Sequence, residues 1–339
     1  MKIQICLVFL RCFQEYIKRM IKKVLLTGAN SMLGVNTALL LLAKGYEVKA
    51  LLRNSREELN ACNIIHGDIT KFEDVKDAAI GCDAIIHIAA ATNQEMLHLS
   101  DYTKINVVAT ENVCQASLVT SAKRVIFVST ANTIGNGTKE KPANETYPAS
   151  KPFAENLYAK SKLLAEEKAL ASSANVLIIN PTFMIGAYDS KPSSGQIITM
   201  NYGKRIVFAP KGGKNFVAAS DVSNAIVNAL NSTMIGEKIL TGGYNLSFAD
   251  FYKTMAQTQG YKISVITLPN SLLYAVGIIG SLCRKFGIKT PVSFTNMRIL
   301  CTREWYTAEK AIHVLQMPQT SIEKAITDCI NWFKTNNML

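Results

Sequence analysis

Residues 24–34 read VLLTGANSMLG, and this stretch decides the fold. Val24-Leu25-Leu26 is an apolar run too short for a helix and reads as a buried strand. Thr27-Gly28-Ala29-Asn30-Ser31-Met32-Leu33-Gly34 comes next, and then an apolar helical run over 35–43. A strand, a tight glycine turn and a helix start make an anion site, because free backbone N–H groups and the positive helix end point at whatever sits above the turn. Gly28 permits the sharp turn, and Gly34 lets the helix pack close to the strand. Ser31 stands where a GxxGxxG spacing has its middle glycine. It gives up backbone clearance and offers a hydroxyl to a phosphate. Thr27, Gly28, Asn30, Ser31, Met32, Leu33 and Gly34 are therefore candidate cofactor-binding residues. A glycine turn of this kind can also bind nothing, so the rest of the chain has to decide.

The 339 residues suffice for one large or two ordinary domains. A hydrophobic content of 48% against 18% charged residues describes a folded globular chain rather than a disordered one. The net charge is +12, yet beyond residue 19 no Lys/Arg run exceeds a pair, so no nucleic-acid stripe is evident and an anionic cofactor or substrate is the milder explanation. None of the eight cysteines forms a CxxC pair, which fits a reducing, cytoplasmic setting and argues against a disulfide scaffold or a metal site. The four histidines show no ligand spacing. Residues 1–19 read as an extension foreign to the remainder of the chain, with Met20 as the natural start. Their apolar run is too short for a membrane span and lacks a cleavage site. A loosely held helix and a weak membrane anchor are the two readings.

Strand-length and helix-length segments then alternate, which implies a parallel sheet. Residues 46–53 form the second strand, and what stands at its end selects the dinucleotide. An acid would hold a free ribose 2′-OH, whereas a cation would meet a 2′-phosphate. Here it is Arg53, followed by Asn54, Ser55 and Arg56, so NADP(H) is preferred over NAD(H). A third strand over 63–70 brings Asp68 and Ile69 to the crevice for an adenine. A helix over 72–80 leads to a fourth strand at 82–90, and the small Ala89, Ala90 and Ala91 at its end allow close approach of a ribose. A helix over 102–118 carries Asn106. A fifth strand over 124–130 ends in Ser129-Thr130 and enters a Gly/Asn/Pro-rich loop. The helix expected over 153–171 contains Tyr158 and Lys162, four apart and so on one face. An ammonium near a phenol lowers its pKa from about 10 and poises it to move a proton. Thr130 would hold the same substrate oxygen.

This ordered set resembles the extended short-chain dehydrogenases/reductases within the NAD-dependent epimerase/dehydratase superfamily. Among them it is most similar to dihydroflavonol-reductase-like and 3β-hydroxysteroid-dehydrogenase-like proteins, over roughly residues 20–335. The resemblance rests on TGxxGxxG at 27–34, Thr130 before a loop ending in Gly135, Tyr158 and Lys162 as YxxxK, Asn106, and Pro181-Thr182. Two departures stand out: Ser31, and Asn180 where the family often has Arg. The resemblance implies that Tyr158 is the acid in reduction, that Thr130 orients the carbonyl and that Lys162 holds the nicotinamide ribose. It implies that Asn106 helps the proton path and that Pro181 and Thr182 sit near the nicotinamide. It also implies a homodimer built as a four-helix bundle from the 102–118 and 153–171 helices.

The expected fold is α/β, a Rossmann-type doubly wound parallel sheet over 20–186 with a smaller C-terminal substrate lobe over 187–339. Lys238–Gly243 is expected to return toward the sheet or its annex. Residues 271–283 read SLLYAVGIIGSLC before Arg284-Lys285, too short to span a bilayer. They would line an apolar pocket, form a surface helix that makes peripheral membrane contact through 271–285 or touches a partner, or simply pack. The expected function is NADPH-dependent reduction of a ketone, or oxidation of a secondary alcohol, in a bulky apolar small-molecule substrate. A nucleotide-sugar epimerase or dehydratase is the alternative, with Lys204, Arg205 and Lys211 for a diphosphate. The resemblance implies that a dehydratase needs Asp-Glu after Thr130, where this chain has Ala131-Asn132. A dinucleotide sensor without turnover is the reading from another class.

Overall fold

A computed structural model describes residues 21–339, so the expectation for residues 1–19 lies outside the described residues. The chain opens with β1 (Lys23–Thr27), α1 (Met32–Ala43), β2 (Glu47–Leu52) and β3 (Asn63–His66). It continues with α2 (Phe72–Ala79), β4 (Ala84–His87), α3 (Leu99–Val119), β5 (Arg124–Val128), α4 (Leu157–Ala171) and β6 (Val176–Pro181). The second half adds β7 (Phe183–Ile185), the short α5 (Gln196–Thr199), β8 (Ile206–Ala209), β9 (Gly213–Ala218), α6 (Ala219–Ala229), β10 (Glu237–Thr241) and β11 (Tyr244–Ser247). Last come α7 (Phe248–Thr258), β12 (Ser264–Thr267), α8 (Asn270–Lys285), α9 (Phe294–Cys301), α10 (Glu309–Leu315) and α11 (Ile322–Thr335).

Seven strands form one parallel sheet in the order β3-β2-β1-β4-β5-β6-β10. The doubly wound fold expected from residues 24–34 is the one observed. Its strands are apolar on both faces, as a sheet covered twice requires. Leu25, Ile85, Phe127 and Ile178 pack with Val75, Val113 and Ala165 from α2, α3 and α4. Leu26, Ile86, Ile126 and Ile179 pack with Leu33, Leu41, Val222 and Ile226 from α1 and α6. Strand order reverses between β1 and β4, and in such sheets ligands sit outside the C-terminal strand ends at that point. The late return comes from β10, which pairs with β6 in the main sheet. A small sheet, β11-β9-β7, gathers a third core around Phe216, Phe251, Ile330 and Phe333.

Three boundaries differ from expectation: β3 ends at His66 rather than 70, so Asp68 and Ile69 follow the strand, β4 spans Ala84–His87 rather than 82–90, and a helix starts late. The helix expected from residue 153 starts at Leu157, after a separate 3-10 turn at Phe153–Glu155. Asn156 intervenes with extended backbone, and its side chain accepts from Ala159 N at 3.0 Å, which caps the helix there.

The β1/β4 seam is locked by a polar contact. His87 Nδ1 lies 2.7 Å from Thr27 Oγ1, and its ring stacks on Phe127 at 5.5 Å. Burial, with a lesser push from Lys162, pulls the imidazole down to about 3. The unfolded chain takes up this proton near pH 6.5 and the folded one resists to about 3, so stability present above pH 6.5 is lost as pH falls through that window. Urea unfolding should show about 2 kcal/mol less stability at pH 5 than at pH 7 from this group, and His87→Leu should flatten that slope. An unchanged slope in the variant would remove His87 as its source.

Candidate active site

The glycine turn meets the end of β4 at van der Waals limits. Gly28 has φ +73°, and a Cβ there would lie 2.5 Å from Ala89 N. A Cβ on Gly34 would lie 2.2 Å from Gly28 O. Glycine is therefore required at both positions, and the turn and the segment after β4 share one crevice wall. Ser31 caps α1. Its Oγ accepts from Gly34 N at 3.0 Å and donates to Gly28 O at 2.8 Å. The hydroxyl expected to meet a phosphate is thus engaged by the loop's own backbone. Thr27 also faces inward, to His87 and Ala89 N. Asn30 donates to Asn54 O at 2.5 Å and leaves its buried Oδ1 without a partner. Leu33 belongs to the core.

Arg53 stands exposed just past the end of β2. A second arginine, which the sequence reading passed over as a site residue, lies against the turn. Arg56 donates to Asn30 O at 3.0 Å and Ser190 Oγ at 3.1 Å, and pairs with Glu58 at 2.6 Å. Nearby, the Thr70 N–H and hydroxyl bond Asp68 and hold its carboxyl below the usual range, with the Arg53 charge helping. The carbonyl of Ile69 is tied to Asn112 at 3.0 Å.

Asn106 is buried, and its amide brackets Ala91 by accepting from Ala91 N at 2.6 Å and donating to Ala91 O at 3.1 Å. It also donates to Ser161 Oγ at 2.9 Å. It therefore ties the segment after β4, which holds Ala89 and Ala90, to α4. None of these bonds reaches Tyr158, Lys162 or Thr130.

One face of α4 carries Tyr158, Lys162 and Glu166 at four-residue steps. The Tyr158 phenol bonds the Thr130 hydroxyl. The sequence reading expects Lys162 to pull this phenol down, and the structure reverses the direction. Burial pushes Tyr158 up to about 12, with the Thr130 bond opposing. The Lys162 ammonium turns instead to Val128 O at 2.8 Å and to the face of Phe127, 4.2 Å from its centroid. Burial pulls Lys162 down to about 7, and Glu166 works against that.

Glu166 is wholly buried and anchors a network that the sequence reading missed. Its Oε1 accepts from Thr133 Oγ1 at 2.6 Å and from Asn180 Nδ2 at 2.7 Å. Asn180 also donates to Thr130 O at 3.0 Å, which gives the position of the family departure a definite task. Lys238, from β10, closes on Glu166 Oε2 at 2.5 Å, by charge rather than by a well-aligned hydrogen bond. The four-residue step from Lys162 was the available signal for Glu166. Nothing local marks Lys238.

A cavity of about 530 Å³ joins these parts. Met32 of the turn, Ser129, Thr130, Tyr158, Pro181 and Thr182 line it. Thr182 Oγ1 donates to Asn215 at 2.8 Å. The far wall comes from 291–300, and Lys214 and Glu304 form a nearly buried ion pair within it. Burial raises the Glu304 carboxyl, with Lys214 opposing. Neither was a candidate from sequence, because the contact joins residues 90 apart.

The model of the NAD dependent epimerase/dehydratase family matches residues 24–242. The chain is similar to a candidate dihydroflavonol 4-reductase of Synechocystis sp., with 25% identity over 323 residues, 91% of this chain and 94% of that protein. It is similar to sterol demethylase protein B of Methylococcus capsulatus, with 24% identity over 328 residues, 93% of this chain and 99% of that protein. Among solved structures, gox2253 is 26% identical with a TM-score of 0.80, covering 94% of this chain and 99% of that one.

Removing Lys238 leaves a buried carboxylate without its cation. Lys238→Met should cost about 2 kcal/mol in urea unfolding, below the ~3–5 of a fully buried pair because the lysine is partly exposed. Lys238→Arg should restore most of it. A neutral Lys238→Met would show that Glu166 needs no partner from β10.

Proposed function

The chain belongs to the NAD dependent epimerase/dehydratase family and is an NAD(P)-dependent oxidoreductase, and from that premise we propose that it reduces a ketone of a bulky, apolar substrate, or oxidises the matching secondary alcohol, using NADP(H) in preference to NAD(H). The observation that carries this reading is the single cavity that takes Thr130 and Tyr158 into one wall and apolar side chains such as Phe183, Met297 and Leu300 into the others.

The dinucleotide fits the residues present. Gly28 and Gly34 let the turn close tightly on Ala89 and on its own backbone, and the helix start above it offers N–H groups to a diphosphate. Asn30 Oδ1 and Ser129 Oγ are buried polar atoms still lacking a partner. Arg53, with no acid beside it until Glu57, would meet a 2′-phosphate. Once bound, the nicotinamide supplies or accepts the hydride. Thr130 would hold the substrate oxygen, and Tyr158 would give it a proton. A phenol near 12 stays protonated at neutral pH, which suits the reducing direction. Lys162 titrates near 7 and is the group on the same helix face that changes charge there. The Asn180–Glu166 network would position Thr130 without touching substrate, and Asn106 would hold α4 to the segment after β4 through Ser161.

The epimerase reading is less well served. Arg205 lines a separate surface depression with Lys253 and Lys262, and Lys204 and Lys211 are not among the lining residues of the cavity. We also propose a homodimer through α3 and α4, whose Val108, Leu118, Val119, Leu164 and Leu170 are exposed. A cytoplasmic setting suits the described cysteines, all free thiols.

NADPH oxidation with a panel of ketones tests the reading. UDP-sugar interconversion without net cofactor use would replace it. Tyr158→Phe should lower turnover by about 10²–10⁴ with cofactor affinity nearly unchanged. Surviving turnover would strip Tyr158 of its role. Arg53→Asp should shift the kcat/KM ratio toward NADH by about tenfold or more, and an unchanged ratio would remove Arg53 from the cofactor site.

A further inference from the structure

Helix α8 wears its large apolar residues on the outside. Its buried residues are Gly277 and Gly280. A Cβ on Gly277 would lie 2.9 Å from Met297 Cγ and Phe294 Cα, and one on Gly280 would lie 2.6 Å from Val292 Cγ1. The small side of the helix thus presses against α9 and the segment before it. Leu272, Val276, Ile279, Leu282 and Phe286 are all exposed, Phe286 at 85%. Their spacing of three and four makes them one stripe along the helix. Solvent-exposed apolar residues are ordinary when scattered, whereas a contiguous stripe of this length marks a contact surface.

Along the chain, this segment carries charge of one sign. Between Asn270 and Arg303 the chain has Arg284, Lys285, Lys289, Arg298 and Arg303, and no Asp or Glu. Arg298 is paired with Glu155. Arg284 is spent on structure, donating to Gln94 O at 3.1 Å and to Met96 O and Thr290 O at 2.5 Å, which pins the helix end to the loop after β4. Lys285 and Lys289 are exposed and belong to none of the ion pairs among the described residues.

We infer that the outer face of α8 docks on an anionic lipid surface, lying in the interface plane with the stripe in the acyl boundary and Lys285 and Lys289 at the headgroups. The helix has 16 residues, about 24 Å at 1.5 Å per residue, short of the ~30 Å hydrocarbon core. No helix among the described residues is long and apolar enough to cross a membrane. Lys285 and Lys289, both exposed, match the charge of lipid phosphates. Val292, which lies beyond α8 and bears on Gly280, lines the cavity together with Pro291. Docking therefore sets that wall one helix away from the lipid, the phase in which a bulky apolar ketone is dissolved. This last step rests on the proposed reductase activity, and the docking itself does not.

Co-sedimentation of the full chain with vesicles of phosphatidylcholine containing phosphatidylglycerol, and of phosphatidylcholine alone, tests the docking without any substrate. The anionic vesicles should take up more than about tenfold more protein. Ile279→Ser/Phe286→Ser should reduce that uptake about tenfold or more, and so should Lys285→Glu/Lys289→Glu. Both variants should keep wild-type melting temperature and wild-type turnover of a water-soluble ketone. No uptake, uptake indifferent to lipid charge, or uptake unaffected by both variants would overturn the inference. So would a dimer mass by light scattering that Ile279→Ser/Phe286→Ser alone converts to monomer. If turnover fails while vesicle binding keeps the expected pattern, the reductase reading falls and the docking stands.

Discussion

The approach of Gly28 to Ala89 N is the contact on which the rest of the molecule depends. Two strand ends from opposite sides of the topological reversal are brought so close there that no side chain fits between them. That proximity places the helix start of α1 and the far end of β5 around one opening, while Asn106 clamps Ala91 in the segment after β4. The seam is tied from below by Thr27 and His87, and Phe127 stacks beneath the histidine. Its other neighbour is the Lys162 ammonium, so one aromatic ring links the structural lock to the reactive helix face.

That helix face works as a ladder. Tyr158 meets the cavity, Lys162 sits one turn below, and Glu166 one turn further into the protein. Burial moves the upper two groups in the direction of neutrality, the phenol up and the ammonium down, while the carboxylate at the base stays engaged by Thr133, Asn180 and Lys238. Asn180 connects the base of the ladder back to the Thr130 carbonyl, so the two ends of the candidate catalytic pair share one support. The cation of this network comes from a strand of the second half of the chain.

Much of this was legible from residue order. The glycine turn, the run of short apolar strands and the Tyr158–Lys162 spacing are local patterns, and local patterns survive in sequence. The sheet and its reversal derive from them. What escaped was non-local or depended on burial. The sequence showed Tyr158 and Lys162 as neighbours but not that the lysine amine turns to Val128 O, and so it misjudged the sign of the phenol's shift. It weighed Arg53 and passed over Arg56, because only a folded loop brings Asn30 O and Ser190 to the latter. Lys214–Glu304 and Glu166–Lys238 join residues too far apart for any periodicity to mark.

The place of β10 at the rim of the main sheet bears on how the molecule is made. It enters the chain at Glu237, about sixty residues after β6 begins at Val176. A nascent chain that has emerged only as far as β6 would carry an unpaired, mostly apolar ribbon edge, the kind of edge that templates association between chains. The main sheet therefore takes its last strand from the second half of the chain, and residues 21–186 by themselves would leave the β6 edge without the partner it has here.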